Sequence, residues 1–325
     1  MGNSVRCVFR APASVDRLTN QHCEVYAEAR SEQLEALKSS DGTDIAFGAV
    51  APRKPKIVRP PDAAVRGTQL VARFLEQDVF PAFNAYRPST GREWCLWGYF
   101  QRLLPIIRSQ ALLTQGSFFQ TTIAATRTLL EILVDIILVA HSDPPDVAER
   151  ILAWEDSAKL QHAEQGKAYL AGKGAGGVEV SAVGLYATWE SFVAGSGDAI
   201  RERRKTLWPP RGKHPQRWSG RNLLDDCRRA DQLESLHLEH CYQVEYRQMN
   251  WSIHGSGFAS VRGLEAQAID TAFALSHLRI AQFSLNATGI CLSALGLRQE
   301  LSLSDRLDQL ATEWTQVARG YHRSL

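Results

Sequence analysis

The feature that most constrains this chain is the period of its apolar residues. From Ala64 almost to the end they recur every three or four positions, over stretches of about twenty residues or more. That period belongs to amphipathic or buried helices, since strands alternate every two residues and are far shorter. The pattern predicts helices over 64–85, 92–114, 117–141, 145–171, 179–206, 220–254, 263–296 and 303–321. Asp62 and Ser304 are suited to N-cap the first and last of them. No strand–helix alternation appears, which excludes a doubly wound sheet. Gly172-Lys-Gly174-Ala-Gly-Gly177 spells a dinucleotide-binding fingerprint, but a helix precedes it where a strand is required. It reads as a helix–helix connection. The expected fold is an all-α multi-helix bundle over 64–325. Residues 1–63 are expected to be an irregular N-terminal segment ending in a linker with Pro52, Pro55, Pro60 and Pro61.

The cysteines at 7, 23, 95, 227, 241 and 291 form no CxxC pair, and the first fifteen residues hold Arg6 and Arg10 without an apolar stretch. Reduced thiols and a cytoplasmic location follow as expectations. Arg6 also breaks the myristoylation pattern that Gly2 begins. Leu129–Ala140 is too short to span a bilayer and carries Glu131 and Asp135, and Ile280–Leu297 is broken by polar residues, so no membrane association is expected.

Function has to be sought in charged residues that sit where the pattern is apolar. The segment 117–141 is apolar except for Arg127, Glu131 and Asp135, spaced i, i+4 and i+8 along one stripe. Charges on a helix buried on most sides need partners. Either Arg127 and Glu131 form a salt bridge on the helix's wet face, or the column lines a cleft and orients binding or catalytic groups. A second candidate is the end of segment 220–254, where Arg247, Asn250 and His254 share a face. A guanidinium and an imidazole at that spacing suit phosphodiester chemistry. Arginine holds a phosphate oxygen and stabilises the charge that develops, histidine moves a proton, and Asn250 positions the group attacked. Equally, His254 is placed to cap the helix C-terminus before Gly255 and Gly257.

The chain's net charge is only +2, but Arg201–Ala230 holds ten Lys and Arg against three acids, a local +7. Arg203, Arg204, Arg211, Lys213 and Arg217 lie in it with Trp208 and Trp218. Basic residues interleaved with aromatics suit single-stranded RNA, while a charge run also suits a solvated surface. Glu234, His237, His240 and Cys241 lack the second carboxylate–histidine helix or the fourth ligand that a metal site needs, so neither metal nor cofactor is expected.

Arg247-x6-His254 fits the R-x(4–6)-H motif of HEPN-type ribonucleases. Chance alone supplies about two such matches in a chain with this much arginine and histidine, and Arg17-x4-His22 is another. Context carries more weight. RTLLE at 127–131, RWSG at 217–220 after His214, and YRQMNWSIH at 246–254 follow one another in helical surroundings. That order resembles a bacterial all-helical domain family of unassigned function, itself similar in build to HEPN and abortive-infection proteins. The resemblance covers about Ala64–Leu297, although His214 stands four residues before Trp218 instead of beside it, and 1–63 has no counterpart. It matches Arg127 and Glu131 to the first element, His214, Trp218, Ser219 and Gly220 to the second, and Tyr246, Ser252 and His254 to the third. It implies a metal-independent endoribonuclease, a toxin or phage-defence effector, acting as a homodimer on RNA. The alternatives are a non-catalytic helical module for RNA, nucleotide or protein, and an enzyme built on the Arg127–Glu131–Asp135 column.

Overall fold

A computed structural model describes residues 62–173, 180–209, 215–253, 266–300 and 303–322. The expected N-terminal segment lies outside them except for Asp62 and Ala63, which already belong to the first helix. Within the described residues every regular element is helical, so the chain is an all-α bundle. The helices are α1 (Asp62–Phe74), α2 (Phe80–Ala85), α3 (Gly91–Leu112), α4 (Phe119–Ala140), α5 (Val147–Lys173) and α6 (Val180–Leu207). They continue with α7 (Leu223–Glu234), the single turn α8 (Leu238–His240), α9 (Arg247–Ile253), α10 (Ala266–Ala294), α11 (Leu297–Glu300) and α12 (Leu303–His322).

Helix α4 is the centre of the bundle. Leu129, Leu130, Leu133, Val134, Ile136, Ile137 and Leu138 are buried around most of its circumference, as its sequence requires. Its broadest cover is α10, itself apolar through Ile280, Ala281, Phe283, Ala287 and Leu292. Helices α1 and α3 complete the layer, and Phe83 of α2 stacks on Phe100 of α3 at 3.8 Å. Helices α5 and α6 pair mainly with each other, and α5 also meets α3.

Two local departures from the helical pattern matter for the site. The segment expected as one helix over 220–254 is broken after Glu234, because Ser235 and His237 take left-handed backbone angles (φ 52° and 58°). Asp231 makes the break workable: its carboxylate accepts the Leu238 and Glu239 amides at 2.7 and 2.8 Å, replacing the helical bonds lost there. Beyond the break, Cys241–Tyr246 winds as a π-helix before α9 begins. That wider turn changes which faces Tyr246 and the α9 residues present, and π-helical turns recur at functional sites.

One polar contact inside the core is pH-sensitive. His277 on α10 is fully buried and its Nδ1 lies 2.9 Å from Thr68 Oγ1 on α1, while that hydroxyl donates to the His277 carbonyl at 3.0 Å. Burial pulls the imidazole down to about 4. The folded protein therefore holds His277 neutral while the unfolded chain takes up a proton near 6.5. This contribution is intact above pH 6.5 and is lost as pH falls towards 4, by about 3 kcal/mol in all. Urea unfolding across that range should show the loss in the wild type and its absence in His277→Gln.

Candidate functional site

The charged column of α4 is divided between two polar networks. Tyr246, the last residue of the π-helical turn, places its hydroxyl between the first two members of the column. Arg127 Nη2 donates to Tyr246 Oη at 2.8 Å, and that hydroxyl donates to Glu131 Oε1 at 2.7 Å. The guanidinium also lies over the Tyr246 ring, 4.5 Å from its centroid, and Tyr242 stacks on the other tyrosine at 4.9 Å. Arg127 and Glu131 are thus joined through a phenol from another helix. Burial and the Glu131 carboxylate push the Tyr246 hydroxyl up to about 12, although the guanidinium opposes them.

The π-helical turn is itself anchored. Arg279 on α10 grips Glu245 with two guanidinium nitrogens, Nε at 2.9 Å and Nη2, and its Nη1 donates to Gln282 at 2.6 Å. Helix α9 then packs against α4 with Arg247 exposed at its start and Asn250 half-buried one turn later. Asn250 Oδ1 and Arg127 Nε are both buried without a hydrogen-bond partner among the described residues. Unsatisfied buried polar atoms are rare in proteins and are often kept for a ligand or a reaction. His254 lies outside the described residues, as do Arg211, Lys213 and His214.

Asp135 belongs to the other network. It accepts from the Trp218 indole at 2.9 Å, from Arg217 and from the Tyr99 hydroxyl. Burial pushes its carboxyl up to about 6, against the Arg217 charge and these hydrogen bonds. Asp226, wholly buried on α7, takes Arg217 Nε at 2.6 Å, Ser219 Oγ at 2.8 Å and Arg221 Nε at 2.7 Å. Gly220 closes this loop with a positive φ of 80°, and a Cβ there would lie 2.8 Å from Trp208 Cδ1. The Trp208 indole donates to the Trp218 carbonyl at 3.0 Å. The RWSG segment is a clasp tying α4 to α7, and Asp135 links it to Tyr99 on α3.

These contacts correct the expectation that Arg217 and Trp218 face RNA. Trp218 is 4% exposed, and the Arg217 side chain is 12% exposed and held by two carboxylates. Much of the remaining basic cluster is paired with acids from outside its own stretch. Arg201 meets Glu164 and Asp198 at 2.5 and 2.6 Å, Arg203 meets Glu149 at 3.6 Å, Arg228 meets Glu239 at 2.8 Å, and Arg229 meets Asp143. Arg204 is half-buried, with its Nε unpartnered among the described residues. Glu234 pairs with His141 at 2.5 Å. Among the described residues no group of three His, Cys, Asp or Glu side chains is placed to hold a metal, and no helix is long and apolar enough to cross a membrane.

Sequence reasoning singled out Arg127, Glu131 and Tyr246 but not Asp226, which organises the clasp. The available signal was an acid on the inward stripe of α7, one turn before the buried Ala230. Glu245 and Arg279 gave no comparable signal, because their pairing depends on how α10 crosses the π-helical turn.

An all-helical bundle with a half-buried Arg–Tyr–Glu array and an Arg-Trp-Ser-Gly clasp is the class these features define. Residues 93–267 match a family of unknown function, DUF5677, and the chain belongs to that family. The matched region contains α4, the clasp and α9, whereas nearly all of α10 lies beyond it. No curated protein and no solved structure matches the chain.

Asp226→Ala leaves Arg217 and Arg221 without their buried anion and should cost about 3–5 kcal/mol in urea unfolding. Tyr246→Phe strands Arg127 and Glu131 and should cost about 1–3 kcal/mol. Because the folded pKa of Tyr246 is raised, the wild type should also lose stability relative to Tyr246→Phe as pH climbs from 10 towards about 12.

Proposed function

We propose that the chain is a HEPN-like, metal-independent endoribonuclease whose reacting groups lie on and just after α9, in a homodimer that brings two such helices together. The observation that carries this reading is the placement of exposed Arg247 and half-buried Asn250 one turn apart, on a helix held to α4 by the Arg127–Tyr246–Glu131 array. The unpartnered Asn250 Oδ1 and Arg127 Nε add unused hydrogen-bonding capacity at the same junction.

In this reading Arg247 binds a non-bridging phosphate oxygen and stabilises the pentavalent centre. His254 takes the proton from the ribose 2′-hydroxyl as its oxygen attacks phosphorus, the bond to the 5′-oxygen breaks, and that oxygen takes up a proton from water. The products are a 2′,3′-cyclic phosphate and a 5′-hydroxyl. Asn250 orients the 2′-hydroxyl. Arg127, Tyr246 and Glu131 position α9 without touching the reacting atoms. With Arg217 and Trp218 engaged inside the protein, the RNA-holding role falls to Arg203, Arg204, Arg211 and Lys213.

The test is cleavage of a labelled single-stranded RNA by the purified full chain with EDTA present. Wild type should cut, and Arg247→Ala and His254→Ala should each be slower by about 100-fold or more. Intact RNA with wild type, or equal rates in the variants, overturns the proposal. RNA that is bound but left whole would instead assign the chain to the non-catalytic binding modules.

A further inference from the structure

A second polar site lies at the other end of α4, about 15 Å along the helix from Glu131, and belongs to neither network above. A cavity of about 460 Å³ opens there between the end of α4, the end of α7 and one face of α10. Small-molecule sites span about 300–1,000 Å³, so the cavity has the right size for one. Asn286, Gly289, Ile290 and Ser293 line it at i, i+3, i+4 and i+7 on α10, and the small side chains at 289 and 293 leave the space open. Leu236 and Leu285 give it an apolar wall.

The charged residues around this cavity are unequal in number. Two guanidinium groups, Arg92 and Arg298, line it with one carboxylate, Glu234. Arg92 is fixed in place by donating Nε to the Val139 carbonyl at 3.1 Å and Nη2 to that of Ala140, so the carbonyl end of α4 holds its guanidinium at the cavity wall. Glu234 is engaged by His141 Nε2, and its side chain is only 8% exposed. Arg298 reaches the cavity just past Gly296, whose φ of 71° turns the chain from α10 into α11, and it also touches the exposed Asp308 at 3.3 Å. An apolar wall, an amide and a hydroxyl on one helix face, and an excess of guanidinium together select a particular kind of molecule.

The geometry points to a binding site for a small organic anion with an apolar body, of the aryl carboxylate class. The ring lies against Leu236, Leu285 and Ile290, and the carboxylate faces Arg298 and Arg92. Asn286 and Ser293 take up its remaining polar edge. The site is separate from the proposed ribonuclease centre and does not depend on it.

The experiment is isothermal titration of the full chain with 2-naphthoate and, separately, with its neutral counterpart 2-naphthylmethanol. The acid should bind saturably at one site per chain, and the alcohol at least ten-fold more weakly. Arg298→Gln should weaken the acid at least ten-fold, and Ser293→Leu, which fills the cavity, should abolish binding in a protein that melts as the wild type does. Absence of saturable binding, equal affinity for acid and alcohol, or binding indifferent to both substitutions overturns the proposal. The comparison of acid with alcohol uses wild type alone, so it decides the question even if a variant does not fold. Neither measurement reads RNA cleavage, so failure of the ribonuclease proposal leaves this result intact.

Discussion

A helix buried on nearly every side that nonetheless carries an arginine, a glutamate and an aspartate has to be supplied with partners, and α4 is that helix. Leaving one such charge unpaired in the interior costs several kcal/mol, a large part of the net stability of a typical domain. The neighbouring elements are arranged accordingly. Tyr246 arrives between Arg127 and Glu131, and the clasp delivers Arg217 and Trp218 to Asp135. Arg92 closes the last turn by taking the carbonyls of Val139 and Ala140. The break at Ser235–His237 and the π-helical turn after it carry the chain from Asp226 in the clasp to Tyr246 beside the first two members of the column.

The same requirement redirects the basic residues between 201 and 230. Read along the chain they make a patch of one sign, whereas in three dimensions Glu149, Glu164, Asp135, Asp143 and Glu239 are brought to them from elsewhere. Exposed pairs such as Arg203 with Glu149 contribute little to stability, but they lower the field that a polyanion would meet. The clasp arginines are a different case, because Asp226 is wholly buried and binds two of them at once. Any affinity for nucleic acid therefore has to come from fewer residues than the local charge of +7 suggests, with Arg247 on α9 a better placed cation than Arg217.

The fold was readable to within a few residues because helical periodicity is a local property. The expected helices over 92–114 and 117–141 correspond to Gly91–Leu112 and Phe119–Ala140. The expected single helix over 220–254 was not readable, since nothing in SLHLEH marks a break by composition. Positive φ is uncommon for any residue but glycine, and here Asp231 stabilises the turn by accepting amides seven and eight residues further on. Of the candidate site, Arg127 and Glu131 stood out as charges in an apolar stretch, and Tyr246 through its place in the YRQMNWSIH segment. Asp226 and Glu245 did not stand out, because an acid next to another acid, or among polar residues of a helix, looks like surface.

By itself the sequence determined that this chain is a helical bundle, that α4 lies inside it, and that the column on α4 needs counter-charges. Those conclusions depend only on spacing along the chain and on the cost of burying charge. The tertiary structure decided which residues answer that need. It joined Arg127 to Glu131 through a phenol more than a hundred residues away, gave Asp135 to the clasp, and turned Arg217 and Trp218 from apparent ligand contacts into interior supports. Pairings between distant segments follow from how helices cross and where a backbone breaks, and neither is a property of any single stretch of sequence.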